Sequence, residues 1–192
     1  MPKKAKDARV NIPKVWANFL DELDASLVQP VEIHCLGGFV MTFGYGLARP
    51  TSDVDFLRML PADQSRALLQ LAGKDSALHH KYGLYLQQVG VATPPEDYES
   101  RLRRLFPGRF KNLRLMGLDP YDLALSKLER NTPIDREDVK YLCKAIPLDP
   151  SVLRARYEKE LRPNLGNPNR DDLTLKLWLE AFFPDQASPA GT

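Results

Sequence analysis

The tightest constraint in this sequence is Asp53-Val54-Asp55, two carboxylates one residue apart in a stretch, Ser52 to Leu60, whose first half alternates polar and apolar. A period of two is a strand signal. In a strand both carboxylates stand on one face, and Val54 and Phe56 point the other way, toward a core. Like charges held side by side oppose each other's ionisation. A hard divalent cation relieves that repulsion, and Mg²⁺ takes one or two carboxylates together with substrate phosphates. An ordinary solvated strand face also carries acids, so the pair gains its meaning from what precedes it.

What precedes it is a short apolar strand, Val31 to Leu36, with β-branched residues at Val31 and Ile33. Gly37-Gly38 ends that strand, and Phe39 to Tyr45 reads as a short helix. Gly44, Gly46 and Pro50 make the following stretch a loop, and Asp53 comes fifteen residues after Gly38. Glycines between a strand and a helix let a phosphate approach the backbone, and the helix start offers unpaired N–H donors. Alone, a Gly-Gly pair is more often a tight turn.

The rest of the chain divides in two. Val15 to Leu27 reads as an amphipathic helix, with Val15, Phe19, Leu20, Leu23 and Leu27 on one stripe. Pro61 introduces a helix over Ala62 to Leu71. Leu84 to Val91 reads as a strand, Tyr98 to Leu105 as a helix and Asn112 to Leu118 as a strand. His79-His80-Lys81 fits a helix end, where cations suit the dipole. After Leu118 strand signals stop. Asp119-Pro120 opens a helix to Arg130, Thr132-Pro133 one to about Ala145, Asp149-Pro150 one to about Leu161, and Asp171 to Phe183 is the last. The expected organisation is an α/β unit over residues 1–116 with an N-terminal helix, a helical part over 117–184 and a flexible tail over 185–192, with the first ten residues frayed. Trp16 and Trp178 read as packing aromatics.

Composition narrows the class. Lys and Arg number 27 against 25 Asp and Glu, a net charge of +2, which excludes a histone-like polybasic chain. A hydrophobic content of 43% excludes wholesale disorder. No run approaches the roughly 18 apolar residues of a membrane helix, and the basic N-terminus lacks the apolar stretch of a signal peptide. Cys35 and Cys143 are too few for a disulfide framework, and His34, His79 and His80 have no ligand-spaced partners for zinc. The expected setting is a reduced cytoplasm, with no membrane partner. Arg101 to Arg114 holds six basic residues and no acid, with Phe106 and Phe110 interleaved. That run suits RNA steering and suits a solvated face equally.

Strand, Gly-Gly, helix, loop and a strand bearing Asp-x-Asp closely resemble the nucleotidyltransferase superfamily related to DNA polymerase β. Its signature is an apolar residue, Gly, then Gly or Ser, about a dozen residues, then Asp-apolar-Asp or Glu; here these are Leu36, Gly37, Gly38, Asp53, Val54 and Asp55. The resemblance implies an α+β fold: a small mixed sheet flanked by helices and followed by a C-terminal helical bundle. It implies that Gly37 and Gly38 cradle an NTP, that Asp53 and Asp55 hold Mg²⁺ or Mn²⁺, and that Arg49 and Ser52 lie near the triphosphate.

The stretch from Leu118 to Lys127 (LDPYDLALSK), followed by Ile134 to Val139 (IDREDV), is similar to the bacterial branch that includes AbiEii-type toxins and minimal toxin nucleotidyltransferases. By position this implicates Lys127, Asp135 and Asp138, Lys127 and Asp138 in catalysis and Lys127 and Asp135 in nucleotide binding. Ile134 stands where that branch commonly has Arg. Apart from the resemblance, Lys127 reads as a snorkelling surface residue and Asp135 as a helix-dipole partner. Related enzymes carry a third carboxylate on a later strand as base. Here the later strands hold no acid, and Gln87 and Gln88 sit in its expected place.

The resemblance therefore implies Mg²⁺-dependent transfer of an NMP from an NTP to a hydroxyl of RNA, such as a tRNA 3′ end, or of protein. Asp135 or Asp138 would then supply the base, and a toxin role would bring an antitoxin partner. The alternatives are a catalytically degenerate fold that binds nucleotide, RNA or a partner, and an interaction protein whose last helix docks a second chain.

Overall fold

The computed structural model describes residues 12–90 and 92–184. Helix α1 (Lys14–Ala25) buries Phe19, Leu20 and Leu23 of the predicted stripe, but Val15 is exposed and Trp16 is buried in its place, and Leu27 lies buried beyond the helix end. The Trp16 ring packs 5.1 Å from Phe39 and 5.4 Å from Phe43, so α1 lies against helix α2 (Gly37–Tyr45). Strand β1 (Val31–Cys35) leads into α2, and strand β2 (Asp53–Leu60) returns antiparallel to β1, with Cys35 opposite Phe56. Helices α3 (Gln64–Ala72) and α4 (Ala77–Tyr82) then carry the chain to strand β3 (Tyr85–Gln88), parallel to β2.

Strand β5 (Leu113–Gly117) lies parallel to β1 on its other side, and the two-residue β4 (Arg103–Arg104) closes that edge antiparallel. The order is β3-β2-β1-β5-β4, a mixed sheet that places β1 and β2 centrally. This is the α+β nucleotidyltransferase-like arrangement expected. The Asp24 carboxylate at the end of α1 accepts from the backbone N–H groups of Lys111, Asn112 and Leu113 at 3.1, 2.7 and 2.7 Å, which fixes the entry to β5.

Helices α5 (Pro120–Leu125), α6 (Pro133–Ala145), α7 (Pro150–Arg156) and α8 (Pro168–Phe182) follow, α7 continuing through a π-helical turn to Leu161. Asp119, Thr132 and Asp149 cap three of them, each with Pro at the first helical position, as their sequences indicate. One buried cluster runs from Trp16 in α1 to Leu179 in α8 and joins sheet and helices. Trp178 is part of it, and its indole N–H donates to Asn131 Oδ1 at 3.2 Å.

Four expectations need correction. Tyr98 to Leu105 is not a helix: a 3-10 turn covers Tyr98–Arg101 and β4 follows. Its helical periodicity loses to the open edge of β5, where Leu105 N–H donates to Leu115 O at 2.8 Å. The helix expected to reach Arg130 stops at Leu125, and tight turns continue to Arg130. Helix α4, expected only as a helix end at His79 to Lys81, is a full element between Ser76 and Gly83. The strand expected to reach Val91 ends at Gln88; Val91 and both expected tails lie outside the described residues.

Candidate active site

The site forms where β1 meets α2. Leu36 N–H donates to the Asp55 carbonyl at 3.0 Å, which extends the β1–β2 ladder by one residue. Gly37 then turns the chain at φ +69°, and a β-carbon there would strike Asp55 Oδ2. Only glycine meets both demands. Helix α2 begins at Gly37, earlier than the Phe39 start the sequence suggests, so both glycines lie in its first turn. No side chain caps that start, which leaves backbone donors facing outward beside the acids.

Asp53 and Asp55 share one face of β2, half-buried, with Val54 and Phe56 fully buried on the other. Asp53 accepts from Thr51 Oγ1 at 3.2 Å and from the Tyr85 hydroxyl at 3.4 Å. Burial, reinforced by the Asp53 charge, pushes the Asp55 carboxyl up to about 6 against the pull of Arg130 and Lys127. In the parallel β2–β3 register Asp53 pairs with Tyr85 and Asp55 with Gln87. An amide therefore stands beside Asp55 on the adjacent strand.

Opposite the acids stands a wall of fixed cations. Asp138, fully buried, accepts from Arg49 Nη1 and Nη2 at 2.5 and 2.9 Å and from Lys127 Nζ at 2.8 Å. Asp135, also fully buried, accepts from Arg130 Nε and Nη2 at 2.8 and 2.6 Å and closes a capping box with Thr132. Lys127 Nζ lies 3.5 Å from Asp135. Burial works to raise the Asp135 carboxyl, but Arg130 and Thr132 outweigh it and hold it well below the usual range.

Two cavities flank the acid pair. One, about 440 Å³, is lined by Gly37, Asp55, Gln87, Lys127, Arg130 and Arg170, among others. The other, about 370 Å³, is lined by Gly38, Arg49, Thr51, Ser52, Asp53 and Ile134, with Pro50.

Of the residues the sequence singles out, Gly37, Asp55 and Lys127 meet in the first cavity and Gly38, Arg49, Ser52 and Asp53 in the second. Asp135 and Asp138 are the exceptions. Each is buried, lines neither cavity, and accepts from Arg49 and Lys127 or from Arg130. Lys127 does not ride a helical face; it sits in the turn after α5. Thr51, Tyr85, Arg130 and Arg170 were not singled out, although the Thr132–Asp135 capping box is a sequence signal for the Arg130 partner. The basic run from Arg101 is divided: Arg101 pairs with Asp122 and Glu160, and Arg109 with Asp21, while Arg103, Arg104 and Arg114 are exposed.

Among the described residues no group of three or more His, Cys, Asp or Glu side chains could hold a metal alone. Two adjacent carboxylates, Asp53 and Asp55, fit Mg²⁺, which takes one or two carboxylates and fills the rest of its shell with waters and other oxygens.

A mixed sheet with an uncapped Gly-Gly helix start over Asp-x-Asp defines a nucleotidyltransferase-type protein. Residues 17–179 match the model of a family described as "Nucleotidyltransferase of unknown function (DUF6036)", and the chain belongs to that family. No curated protein and no solved structure matches it. No helix among the described residues is long and apolar enough to cross a membrane.

Proposed function

We propose that this protein moves a nucleoside monophosphate from an NTP to a hydroxyl of RNA, such as a tRNA 3′ end, or of protein, with Mg²⁺ as cofactor. The observation that carries this reading is Gly37: its missing β-carbon is what lets the Asp55 carboxylate lie against the start of α2. Phosphates held at that helix start would meet the carboxylates at one point.

The metal held by Asp53 and Asp55 would neutralise charge on the phosphate oxygens. The Gly38 amide, the Thr51 and Ser52 hydroxyls and Arg49 bind the phosphates. Lys127 and Arg130, fixed by buried acids, offer positive charge that needs no reorganisation during reaction. Asp138 and Asp135 are positioning residues that hold those cations. The acceptor oxygen bonds to the α-phosphorus, the bond to the β-phosphate oxygen breaks, and pyrophosphate leaves. A loose transition state asks little of a base, so the acceptor's proton passes to water in the open cleft.

Thermal unfolding with Mg²⁺ and each of the four NTPs, wild type beside Asp53→Asn, tests the reading. A nucleotide at about 100 times its Kd stabilises by about 2.7 kcal/mol, several degrees for a chain this size. The expected result is a shift for at least one NTP that Asp53→Asn abolishes; no shift with any NTP sinks the proposal. Gln87 beside Asp55 favours a second reading, a degenerate site that binds without turnover. It predicts the shift without transfer of radiolabelled NMP to RNA or protein. The toxin resemblance extends the first reading to growth arrest on expression, relieved by Asp53→Ala; arrest that persists in the variant removes that extension.

A further inference from the structure

Arg170 enters the cleft from the first turn of α8, far along the chain from Asp55, yet lines the same cavity as Asp55, Gln87, Gln88 and Arg130. Its half-exposed guanidinium is held by Asp171, with Nε 2.8 Å and Nη2 2.7 Å from Oδ1. Consecutive residues on a helix do not face each other, so the arginine folds round to reach its neighbour and its course is fixed by that pairing. Asp171 is fully buried. Among the described residues its Oδ2 is the one buried side-chain oxygen or nitrogen without a hydrogen-bond partner. A buried carboxylate with an unmatched oxygen opposes folding. What it accomplishes is to fix Arg170.

Arg130 is set in the same way by buried Asp135, through Nε and Nη2, which leaves Nη1 uncommitted. The cavity thus receives two forked guanidinium groups, each fixed by a buried acid. Such forks match the geometry of a phosphate. Beside them on β3, exposed Gln87 stands in register with Asp55 and brings an amide to the cavity lining. Phosphate-binding arginines next to an amide able to read a base edge are the chemistry of a polynucleotide site. A protein hydroxyl brings no anion that would require two arginines. The other cavity, with Gly38, Thr51, Ser52 and Arg49, already offers a separate cradle for the NTP phosphates.

We propose that Arg170, aimed by Asp171, joins Arg130 in binding a backbone phosphate of a single-stranded RNA acceptor on the Asp55 side of the acid pair. This rests on the nucleotidyltransferase reading and assigns the acceptor within it.

The test is fluorescence anisotropy with a short, 5′-fluorescein-labelled single-stranded RNA of mixed sequence, run beside the Mg²⁺–NTP thermal shift. Arg170→Ala should weaken RNA binding about tenfold or more, the scale of a charge-assisted contact. Its salt slope should fall by about 0.7, one phosphate contact on a single strand. The NTP shift should stay as in wild type. Arg170→Lys, which keeps the charge and loses the fork, should fall between. Asp171→Asn, which keeps the side chain's shape and removes the charge that holds Arg170, should still unfold cooperatively and still weaken RNA; a merely structural aspartate would leave RNA binding unchanged in a variant that stays folded. RNA binding equal in wild type and Arg170→Ala overturns the proposal, as does wild type that binds no RNA. Loss of the NTP shift in Arg170→Ala with RNA binding intact overturns it too, because the arginine then serves the nucleotide. An NTP shift absent from wild type fails the broader reading on its own arm.

Discussion

Asp138→Ala should destabilise the protein by about 3–5 kcal/mol, the cost of removing one partner from a buried ion pair. For a chain of this length that lowers the midpoint by roughly 6–20 °C. The reason is what stays behind. Lys127 is only 4% exposed, and without Asp138 it keeps only Asp135, at 3.5 Å. Arg49 loses both of its bonds to the carboxylate. Replacing Arg49, Asp138 and Lys127 together with apolar residues of similar volume should recover most of the loss, because no buried charge is then unpaired. Chemical denaturation of the two variants beside wild type measures both effects, and a single-variant loss below about 1 kcal/mol would show that the network does not hold the fold. Asp135 adds a pH signature. Its carboxyl is held below the usual range, so its contribution is present at neutral pH and fades as pH falls below the ordinary carboxylate value toward the folded one.

That network explains which parts of the site were legible in the sequence. Gly37, Gly38, Asp53 and Asp55 were readable because each is tied to its neighbours by local rules: strand alternation, a turn that only glycine takes, a helix start. The caps of α5, α6 and α7 were readable for the same reason. Asp135 and Asp138 were readable as important residue types but not as partners. Three residues apart on a helix, they could face water, a metal or each other. Only the packing of α6 beside Arg49 and Lys127 turns them inward. Lys127 itself was misplaced because α5 ends five residues early. Lys127 and Leu128 bond back to Ala124 and Leu125, three residues away, and Asn131 adopts φ +42° before Thr132-Pro133. This tightening swings Lys127 and Arg130 toward Asp55. Arg170 was invisible because no periodicity connects the first turn of α8 to β2; only the tertiary fold does. The lost helix at Tyr98 belongs to the same class, since its residues serve a sheet edge and an ion pair from Arg101 to Asp122.

Asp55→Asn should do two opposite things: reduce nucleotidyl transfer by about a thousandfold or more, the scale of losing a principal charge-stabilising group, and make the metal-free protein more stable. The second effect follows from its titration. Burial and the Asp53 charge raise the folded carboxyl to about 6, above the ordinary aspartate range, so the protonated form favours folding. That contribution is complete below the unfolded value and is lost as pH rises through the folded one. At pH 8 the ionised Asp55 opposes folding by about 3 kcal/mol on the bare shift, reduced to about 1–2 kcal/mol because the side chain is partly exposed. Asparagine keeps the shape and cannot ionise. Denaturation in EDTA at pH 5 and pH 8 should therefore show the variant more stable than wild type at pH 8, with the difference shrinking toward pH 5. Adding Mg²⁺ with an NTP should then stabilise wild type and leave Asp55→Asn where it was. A variant no more stable than wild type at pH 8 would mean that the acid pair carries no stored repulsion, and with it would go the reason for a cation at this site. A variant that is more stable and still transfers nucleotide would separate the strain from the chemistry and move the essential charge to Asp53 alone.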